Sequence, residues 1–191
     1  VNSSIGNDTT GNGSYASPYK TFHKGYTSVS DGDTLNLNGV FDWSSSEETG
    51  DVTGSGYVLS KNITIRSYDE NFTTIQSEST SNSSDRRVFT VSINHQVDFR
   101  GLIIQNGKST DGGGIYINGA SVVENCILRN NIATGSSGGG IDVRGRLDIK
   151  QSYIHDNIAK NMGGGINRNY YSGSSGTPGT NDLLNITNCT I

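Results

Sequence analysis

The chain has 191 residues and a formal net charge of −4, and only 17% of its residues are charged. Its 26 Gly, 26 Ser and 21 Asn residues disfavour helix interiors and exclude a helical bundle. The low charge and the recurring short apolar runs exclude the composition of a disordered chain. With no long apolar run and no basic cluster, the sequence predicts no membrane span and no nucleic-acid partner. The composition is that of a turn-rich, soluble, all-β protein.

Residues 1–33 are predicted to form an N-terminal extension and cap. No basic-then-apolar signal segment follows Val1, so the sequence represents either a mature product or an excised fragment. Apolar residues at spacings of three and four predict the buried face of a short helix within residues 17–30: Tyr19, Phe22, Tyr26 and Val29. The alternative is a loop with scattered aromatic residues. A helix here would cover the open edge of the first strands.

Asn-x-Ser/Thr sequons occur along the whole chain, at Asn2, Asn7, Asn12, Asn62, Asn71, Asn82, Asn185 and Asn188. Each is a candidate N-glycosylation site. Together with the abundance of Asn, Ser and Thr, they predict an extracellular or cell-surface protein.

An internal repeat decides the fold class. The tetrapeptide Gly-Gly-Gly-Ile begins at Gly112, Gly138 and Gly163, at steps of 26 and then 25 residues. Each period contains alternating apolar runs separated by Gly, Asn or Ser, which predicts short β-strands joined by turns. A unit of about 25 residues cannot bury its own apolar face, so the units must stack. We therefore predict an all-β parallel β-helix over residues 34–191, with a loop insertion at residues 170–182.

Stacking places equivalent residues of successive coils about 4.8 Å apart. We expect inward aliphatic stacks of residues one period apart, Ile115 with Ile141 and Ile166 and Ile132 with Ile158, and a rung of small residues where the coil bends tightly, Ala133 with Ala159. We expect an Asn ladder at equivalent turns, because Asn tolerates left-handed backbone: Asn106, Asn131 and Asn157. The Gly triplets indicate tight corners rather than a phosphate-binding loop, because no helix pattern follows them.

Two groups of motifs resemble known surface proteins. Gly-Gly-Gly-Ile paired with Ile-x-x-Asn, at residues 103–106 and 127–130, resembles the Gly-Gly-Ala-Ile and Phe-x-x-Asn repeats of polymorphic outer membrane proteins. The segments 7–14, 17–22 and 32–35 are similar to the start of adhesin-like surface proteins of archaea and bacteria. These groups belong to the pectin-lyase-like superfamily, so the resemblance implies a right-handed β-helix. It implies no single activity, because the superfamily includes lyases, hydrolases, tailspikes and adhesins.

The strand after each Gly triplet carries the candidate ligand-contact face. Alternation predicts outward side chains at Tyr116, Asn118, Asp142, Arg144, Asn167 and Asn169. Catalysis in the superfamily usually needs several acids on one face, and a paired-carboxylate hydrolase needs two about 5–9.5 Å apart. This face has one acid, which also cannot anchor calcium with its six to eight oxygen ligands. Asp142 and Arg144 form either a sugar-contacting pair or a surface ion pair of at most about 1 kcal/mol.

We predict no catalytic, cofactor-binding or metal-binding residue, and no cofactor. The other acidic residues lie in loops without the spacing of a calcium loop. The three His residues show neither zinc-ligand nor catalytic-triad spacing: His23, His95 and His155.

Cys126 is predicted to align with Ser152 one coil on and with Cys189 two coils on. Two rungs of about 4.8 Å exceed the roughly 7 Å limit for a disulfide, which predicts free thiols. The alternative is a Cys189 disulfide between molecules.

The final strand block leaves a candidate assembly edge at Ile186, Cys189 and Ile191. Either further coils follow in a longer protein or another subunit supplies the next strand, with residues 1–5 as a candidate donor. A head-to-tail contact that does not close would yield a filament.

Two function classes remain. The first is an extracellular structural or adhesin-like surface protein, a rigid β-solenoid that self-associates or continues into further coils. The second is a carbohydrate-binding or polysaccharide-degrading protein of the pectin-lyase type, with a glycan as its partner. A stack of acids on one face would favour the second class, and the sequence has none, so we favour the first.

Overall fold

Parallel strand pairing from coil to coil is the basis of the fold. The computed structural model describes residues 1–48, 52–69, 71–80, 83–135, 137–169 and 184–191. These residues form a parallel β-helix of about five turns, with a spacing of about 26 residues. The predicted all-β parallel β-helix is confirmed. The predicted insertion at residues 170–182 lies outside the described residues.

Each coil contributes three or four short strands. The first coil contains β1 (Thr34–Leu37), β2 (Val40–Asp42) and β3 (Tyr57–Leu59). The second contains β4 (Ile63–Ser67), β5 (Thr73–Gln76) and β6 (Phe89–Val91). The third contains β7 (Gln96–Arg100), β8 (Leu102–Gln105), β9 (Lys108–Ser109) and β10 (Ile115–Ile117). The fourth contains β11 (Ala120–Glu124), β12 (Ile127–Arg129), β13 (Ile132–Ala133) and β14 (Ile141–Val143). The fifth contains β15 (Arg146–Lys150), β16 (Tyr153–His155), β17 (Ile158–Ala159) and β18 (Ile166–Arg168), and β19 (Leu184–Thr187) begins the next coil.

Equivalent strands of successive coils pair to form four sheets that run along the helix axis. Sheet A has the order β1-β4-β7-β11-β15-β19, and sheet B has the order β2-β5-β8-β12-β16. Sheet C has the order β3-β6-β10-β14-β18, and the narrow sheet D consists of β9, β13 and β17.

Inward side chains stack along the axis as the repeat predicts. Ile115 pairs with Phe89 of the preceding coil and Ile141 of the following one, and all three are fully buried. Ile166 continues this stack and is half-buried. Burial of such apolar surface contributes about 25 cal/mol per Å² to folding, so the continuous stack is a main source of stability.

The predicted inward stack of Ile132 and Ile158 is wrong. The two residues pair as expected, but Ile132 is half-buried and Ile158 is exposed, whereas Ala133 is buried. Successive residues of a strand point to opposite faces, so only one of each pair can turn inward. The corner is crowded: a Cβ on Gly113 would lie 2.4 Å from the Ile132 carbonyl oxygen. The smaller Ala side chain therefore takes the inward position.

Left-handed residues mark three corners of the third, fourth and fifth coils. Between sheets A and B, one positive-φ residue recurs in four successive coils: Gly101, Asn125, Gln151 and Asn188. After sheet B, the recurring positive-φ residues are Asn106, Asn130 and Asp156. Before sheet C, they are the first glycines of the three triplets: Gly112, Gly138 and Gly163.

This register corrects the predicted Asn ladder. Asn106 aligns with Asn130, one position before Asn131, because β8 and β12 pair Gln105 with Arg129. The ladder itself is real between Asn131 and Asn157: the Asn131 side-chain amide donates to the Asn157 carboxamide oxygen at 3.0 Å. The Asn131 oxygen in turn accepts from the Gly107 N–H at 2.9 Å. The Asn side chains therefore satisfy buried backbone groups of the neighbouring coil, which would otherwise be costly to bury.

The Gly triplets serve both roles proposed for a tight corner. Gly138 has φ +70°, a left-handed conformation that L side chains rarely adopt. A Cβ on Gly139 would lie 2.5 Å from the carbonyl oxygens of both Gly164 and Ile158, so the backbones approach too closely for any side chain.

The predicted cap helix is present as α1 (Phe22–Ser28), which is shorter than predicted: it contains Phe22 and Tyr26, whereas Tyr19 precedes it and Val29 is its extended C-cap. Thr21 is its N-cap and accepts from the Lys24 N–H at 3.1 Å. Phe22 is fully buried, and its ring packs edge-on against Tyr57 at 4.7 Å and Trp43 at 5.2 Å between centroids. The helix thus covers the apolar interior of the first coils with aromatic surface.

The first residues pair within their own chain rather than extending away from it. Asn38 donates its N–H to the Val1 carbonyl oxygen at 3.0 Å, and Asn2 donates its N–H to Tyr19 at 2.8 Å. The suggested donor segment, residues 1–5, thus begins against the edge of the first coil of the same molecule.

Both cysteines are free thiols and lie two coils apart, as predicted. Tyr153 forms a parallel bridge to Thr190 and pairs with Ile127, which places Cys126, Ser152 and Cys189 at the same position of three coils. Cys126 is buried, and burial raises the pKa of its thiol to about 12.

Thiol labelling should separate the two cysteines. In the native protein we expect a thiol reagent at neutral pH to modify Cys189 alone, because the Cys126 thiol is buried and protonated. After denaturation both should react. Rapid modification of two thiols in the native protein, or of neither after denaturation without reductant, would contradict this arrangement.

A half-buried carboxylate holds the start of α1. Glu48 accepts from the Phe22 N–H at 2.7 Å and from the His23 N–H at 3.3 Å. Burial raises the pKa of Glu48 to about 7, outweighing these two hydrogen bonds, and the nearby charges of Asp8 and Glu47 act in the same direction as burial.

The pKa of Glu48 predicts a pH dependence of stability. The folded state holds the proton more tightly than the unfolded state, so the stabilisation is complete below about pH 4.5 and is lost as the pH rises through 7. We expect the loss to be at most about 3 kcal/mol. Glu48→Gln keeps an acceptor for the Phe22 N–H and removes the charge, and should flatten this part of the curve of melting temperature against pH. Asp85→Asn, at an exposed carboxylate whose charge is not among those acting on Glu48, is the control. An unchanged slope in Glu48→Gln would contradict the assignment.

Candidate ligand-contact face

The predicted ligand-contact face lies on sheet C with the predicted register. Tyr116 pairs with Asp142, and Asp142 pairs with Asn167. Asn118, Arg144 and Asn169 occupy the next outward position of the same three coils. Tyr116, Asn118, Arg144, Asn167 and Asn169 are all half-buried. The structure therefore brings the six predicted residues together on one face.

The expected exposure of Asp142 is wrong. Its side chain is fully buried, because the next coil covers it. The carboxylate oxygen Oδ1 accepts from the side-chain amides of Asn167 at 2.7 Å and Asn169 at 2.9 Å. Burial raises the pKa of Asp142 and outweighs these two bonds. Asp142 thus ties the fourth coil to the fifth and is not presented to solvent as half of a surface ion pair.

Two guanidinium groups lie over the Tyr116 ring. The central carbon of Arg87 is 4.5 Å from the ring centroid, and that of Arg144 is 5.1 Å from it. Contacts of this kind contribute about 0.5–2 kcal/mol, more when they are desolvated. Tyr116 therefore connects the second, third and fourth coils through side chains. Burial also raises the pKa of its phenol.

Arg87 is the residue of this face that sequence reasoning missed. It is buried, and its Nε donates to the Gly112 carbonyl oxygen at 2.9 Å. Its other nitrogens donate to the Thr90 hydroxyl at 3.0 Å, the Ser109 hydroxyl at 3.1 Å and the Asp111 carbonyl oxygen. Its position in the repeat is the sequence signal that could have identified it. Because β6 and β10 pair Phe89 with Ile115, Arg87 occupies the position of the middle glycine of the later triplets.

The chemistry of this face is that of a hydrogen-bonding surface. Asp111 lies near enough to raise the pKa of Asp142 through charge repulsion, and Arg144 lowers it. Across the described ranges, no cluster of three or more His, Cys, Asp or Glu side chains has an arrangement that could hold a metal ion. The amides, phenol and guanidinium groups that remain half-buried can contact a polar ligand at the surface.

The three His residues lie on separate parts of the molecule. His23 Nδ1 is 2.9 Å from the Tyr57 hydroxyl beneath the cap. His95 Nδ1 is 2.9 Å from the Ile93 carbonyl oxygen. His155 aligns with Arg129, as predicted, and lies 2.7 Å from the carboxylate of its neighbour Asp156.

The sequons lie on the surface wherever the structure describes them. Six of these Asn residues are exposed: Asn7, Asn12, Asn62, Asn71, Asn185 and Asn188. Asn2 is half-buried, and Asn82 lies outside the described residues. Glycosylation of these sites stays a prediction.

The candidate assembly edge lies on the last described coil. Ile186 pairs with Ile149 and is exposed, as is Ile191, and Cys189 is half-buried. Ile149, one coil inward, is fully buried.

The length of the helical structure decides whether a described helix could cross a membrane. Among the described residues, α1 has seven residues, and none of the helical structure is long and apolar enough to cross a bilayer.

The fold and the face define a class of protein, a parallel β-solenoid with a polar, half-buried contact face. Comparison with protein-family models, with curated proteins and with solved structures finds no match to this chain.

Proposed function

We propose that the protein is an extracellular structural or adhesin-like surface protein, a rigid β-solenoid that contacts its ligands without chemistry. The observation that carries this proposal is the state of Asp142. The one carboxylate of the candidate face is fully buried and accepts hydrogen bonds from Asn167 and Asn169. A general acid or base needs access to the proton that it transfers. A carboxylate used to join two coils fits a scaffold better than a catalytic cleft.

Arg87 supports the same proposal. Its guanidinium donates to backbone carbonyls of Gly112 and Asp111 in the following coil. Such charge-assisted bonds stiffen the stack against sliding of one coil over the next. The sequence resemblance to adhesin-like proteins of the pectin-lyase-like superfamily, and the sequons on the surface, favour an extracellular location.

The second candidate is a carbohydrate-active protein of the pectin-lyase type. The observation that favours it is the Tyr116 ring with Arg87 and Arg144 beside it, since aromatic and guanidinium groups also contact sugars and their carboxylates. In this alternative Asp142 would take part in bond cleavage.

Substitution of Asp142 distinguishes the two candidates. We expect Asp142→Ala to lower the free energy of unfolding by about 1–3 kcal/mol, because Asn167 and Asn169 lose their acceptor. Urea denaturation measures this, with Glu47→Ala as an exposed control whose ion pair with Lys20 contributes at most about 1 kcal/mol. The unaltered protein should release no unsaturated product from acidic polysaccharides with calcium, measured by ultraviolet absorbance. Product formation that Asp142→Ala abolishes would overturn the first proposal.

The proposal includes self-association at the last described coil, where Ile186 and Ile191 are exposed. An exposed strand edge with apolar side chains is a template for pairing with another strand. We expect the mass measured by light scattering to rise with protein concentration, and Ile186→Lys to reduce that rise. A constant monomer mass would contradict self-association.

A further inference from the structure

A groove of about 570 Å³ lies at the corner between sheets A and B, apart from the candidate ligand-contact face on sheet C. One wall is formed by the N-terminal extension, including Tyr15, and the other by the first two coils, including Tyr68 and Asp69. Pockets for small molecules usually have volumes of about 300–1,000 Å³. The groove is therefore large enough to hold a ligand.

Two exposed tyrosines form an aromatic platform in this groove. Tyr15 is 79% exposed and Tyr68 is 49% exposed, and their rings stack with centroids 5.3 Å apart and an angle of 25° between planes. Single exposed aromatic residues are ordinary, but a stacked pair lining a groove marks a binding surface. The stack covers one face of Tyr15 and leaves the other face open.

Hydrogen bonds fix the backbone at both tyrosines. Tyr15 lies in a tight turn closed by hydrogen bonds from the Asn12 N–H to the Ser17 carbonyl oxygen at 2.9 Å and from the Ser14 N–H to the Asn12 side chain at 3.0 Å. Tyr68 donates its N–H to the Leu37 carbonyl oxygen of the first coil at 2.7 Å. A rigid, amphipathic ring presented in this way loses little conformational entropy when a ligand binds.

The polar groups of the groove offer both donors and acceptors. The oxygens of the Asn2 and Asn36 side chains already accept, from the Ser4 and Ile5 N–H groups and from Arg66 respectively. Among the described residues, the amide nitrogens of Asn2 and Asn36 and the carboxamide oxygen of Asn38 have no hydrogen-bond partner. Asp69 accepts from the Asn38 amide at 3.1 Å and from the Asn71 N–H at 3.0 Å, so both carboxylate oxygens are engaged.

We propose that this groove binds a neutral saccharide chain, with one sugar ring stacked on the open face of Tyr15. A sugar ring has an apolar C–H face that fits an aromatic plane and a rim of hydroxyls that both donate and accept. The side-chain amides of Asn2, Asn36 and Asn38 match that rim. An organic cation would also stack on tyrosine, but a quaternary ammonium has no acceptor for the amide N–H groups of Asn2 and Asn36, whereas sugar hydroxyls accept from them. This inference does not depend on the function proposed above.

Binding of defined oligosaccharides tests the proposal. The probes are the neutral hexasaccharides of β-1,4-linked glucose, β-1,4-linked N-acetylglucosamine and α-1,4-linked glucose, with tetramethylammonium as the cationic probe. Calorimetry should give a saturable Kd for at least one hexasaccharide, and saturation-transfer NMR should show contacts concentrated on ring C–H protons. Tyr15→Ala and Tyr68→Ala should each raise that Kd about tenfold or more, the loss typical of a stacking ring. Tyr15→Phe should keep it within about threefold.

Tyr153→Ala, at an exposed tyrosine of the fifth coil that lies outside both the groove and sheet C, is the matched control and should leave the Kd unchanged. Thermal unfolding verifies that each variant is folded, which the high exposure of Tyr15 favours. Two results would each overturn the proposal: no hexasaccharide binds at millimolar concentration, whether or not tetramethylammonium does, or binding survives both Tyr15→Ala and Tyr68→Ala.

Discussion

Successive coils must bend at matching places if the backbone of each is to hydrogen-bond to both neighbours. In the third to fifth coils left-handed residues produce several of these bends, and they stack on one another, as Gly101, Asn125 and Gln151 do between sheets A and B. A left-handed conformation costs a residue with a side chain about 1–2 kcal/mol. Gln151 adopts this conformation despite the cost, because a shift of the corner by one residue would turn every later side chain of the coil to the wrong face.

The same constraint explains where the coils differ in length. Phe89 follows its partner Tyr57 by 32 residues, whereas Ile115 follows Phe89 by 26. The additional residues of the first two coils lie in the connections between strands, both between β4 and β5 and between sheets B and C, so the strands keep their alignment. One of these loops supplies Glu48, which holds the start of α1. Loops of different length leave the stacked strands aligned. The longer loop of the first coil can therefore supply Glu48, which attaches the cap.

Sequence reasoning predicted the strand register wherever identical tetrapeptides recur at a fixed period, and it aligned Ile115, Ile141 and Ile166 correctly. It failed where exposure depends on the neighbouring coil. Asp142 lies on the outward side of its strand, but Asn167 and Asn169 cover it, and alternation within one strand cannot show that. The groove could not be predicted from the sequence either, because Tyr15 and Tyr68 are far apart in the sequence and belong to no repeat.

Buried polar groups give this stack a specificity that its apolar core lacks. Ile, Leu and Val side chains stack equally well on the apolar residues of any coil, so hydrophobic burial alone leaves the order of coils weakly determined. Arg87 finds its acceptors at Gly112 and Ser109 only when the second coil lies beside the third. Asp142 finds its donors only beside the fifth coil. A displaced coil would leave these groups buried without partners, at a cost of about 1–3 kcal/mol each and more for the charges. Each therefore opposes mispairing at one interface, in a fold whose repeated coils would otherwise be interchangeable.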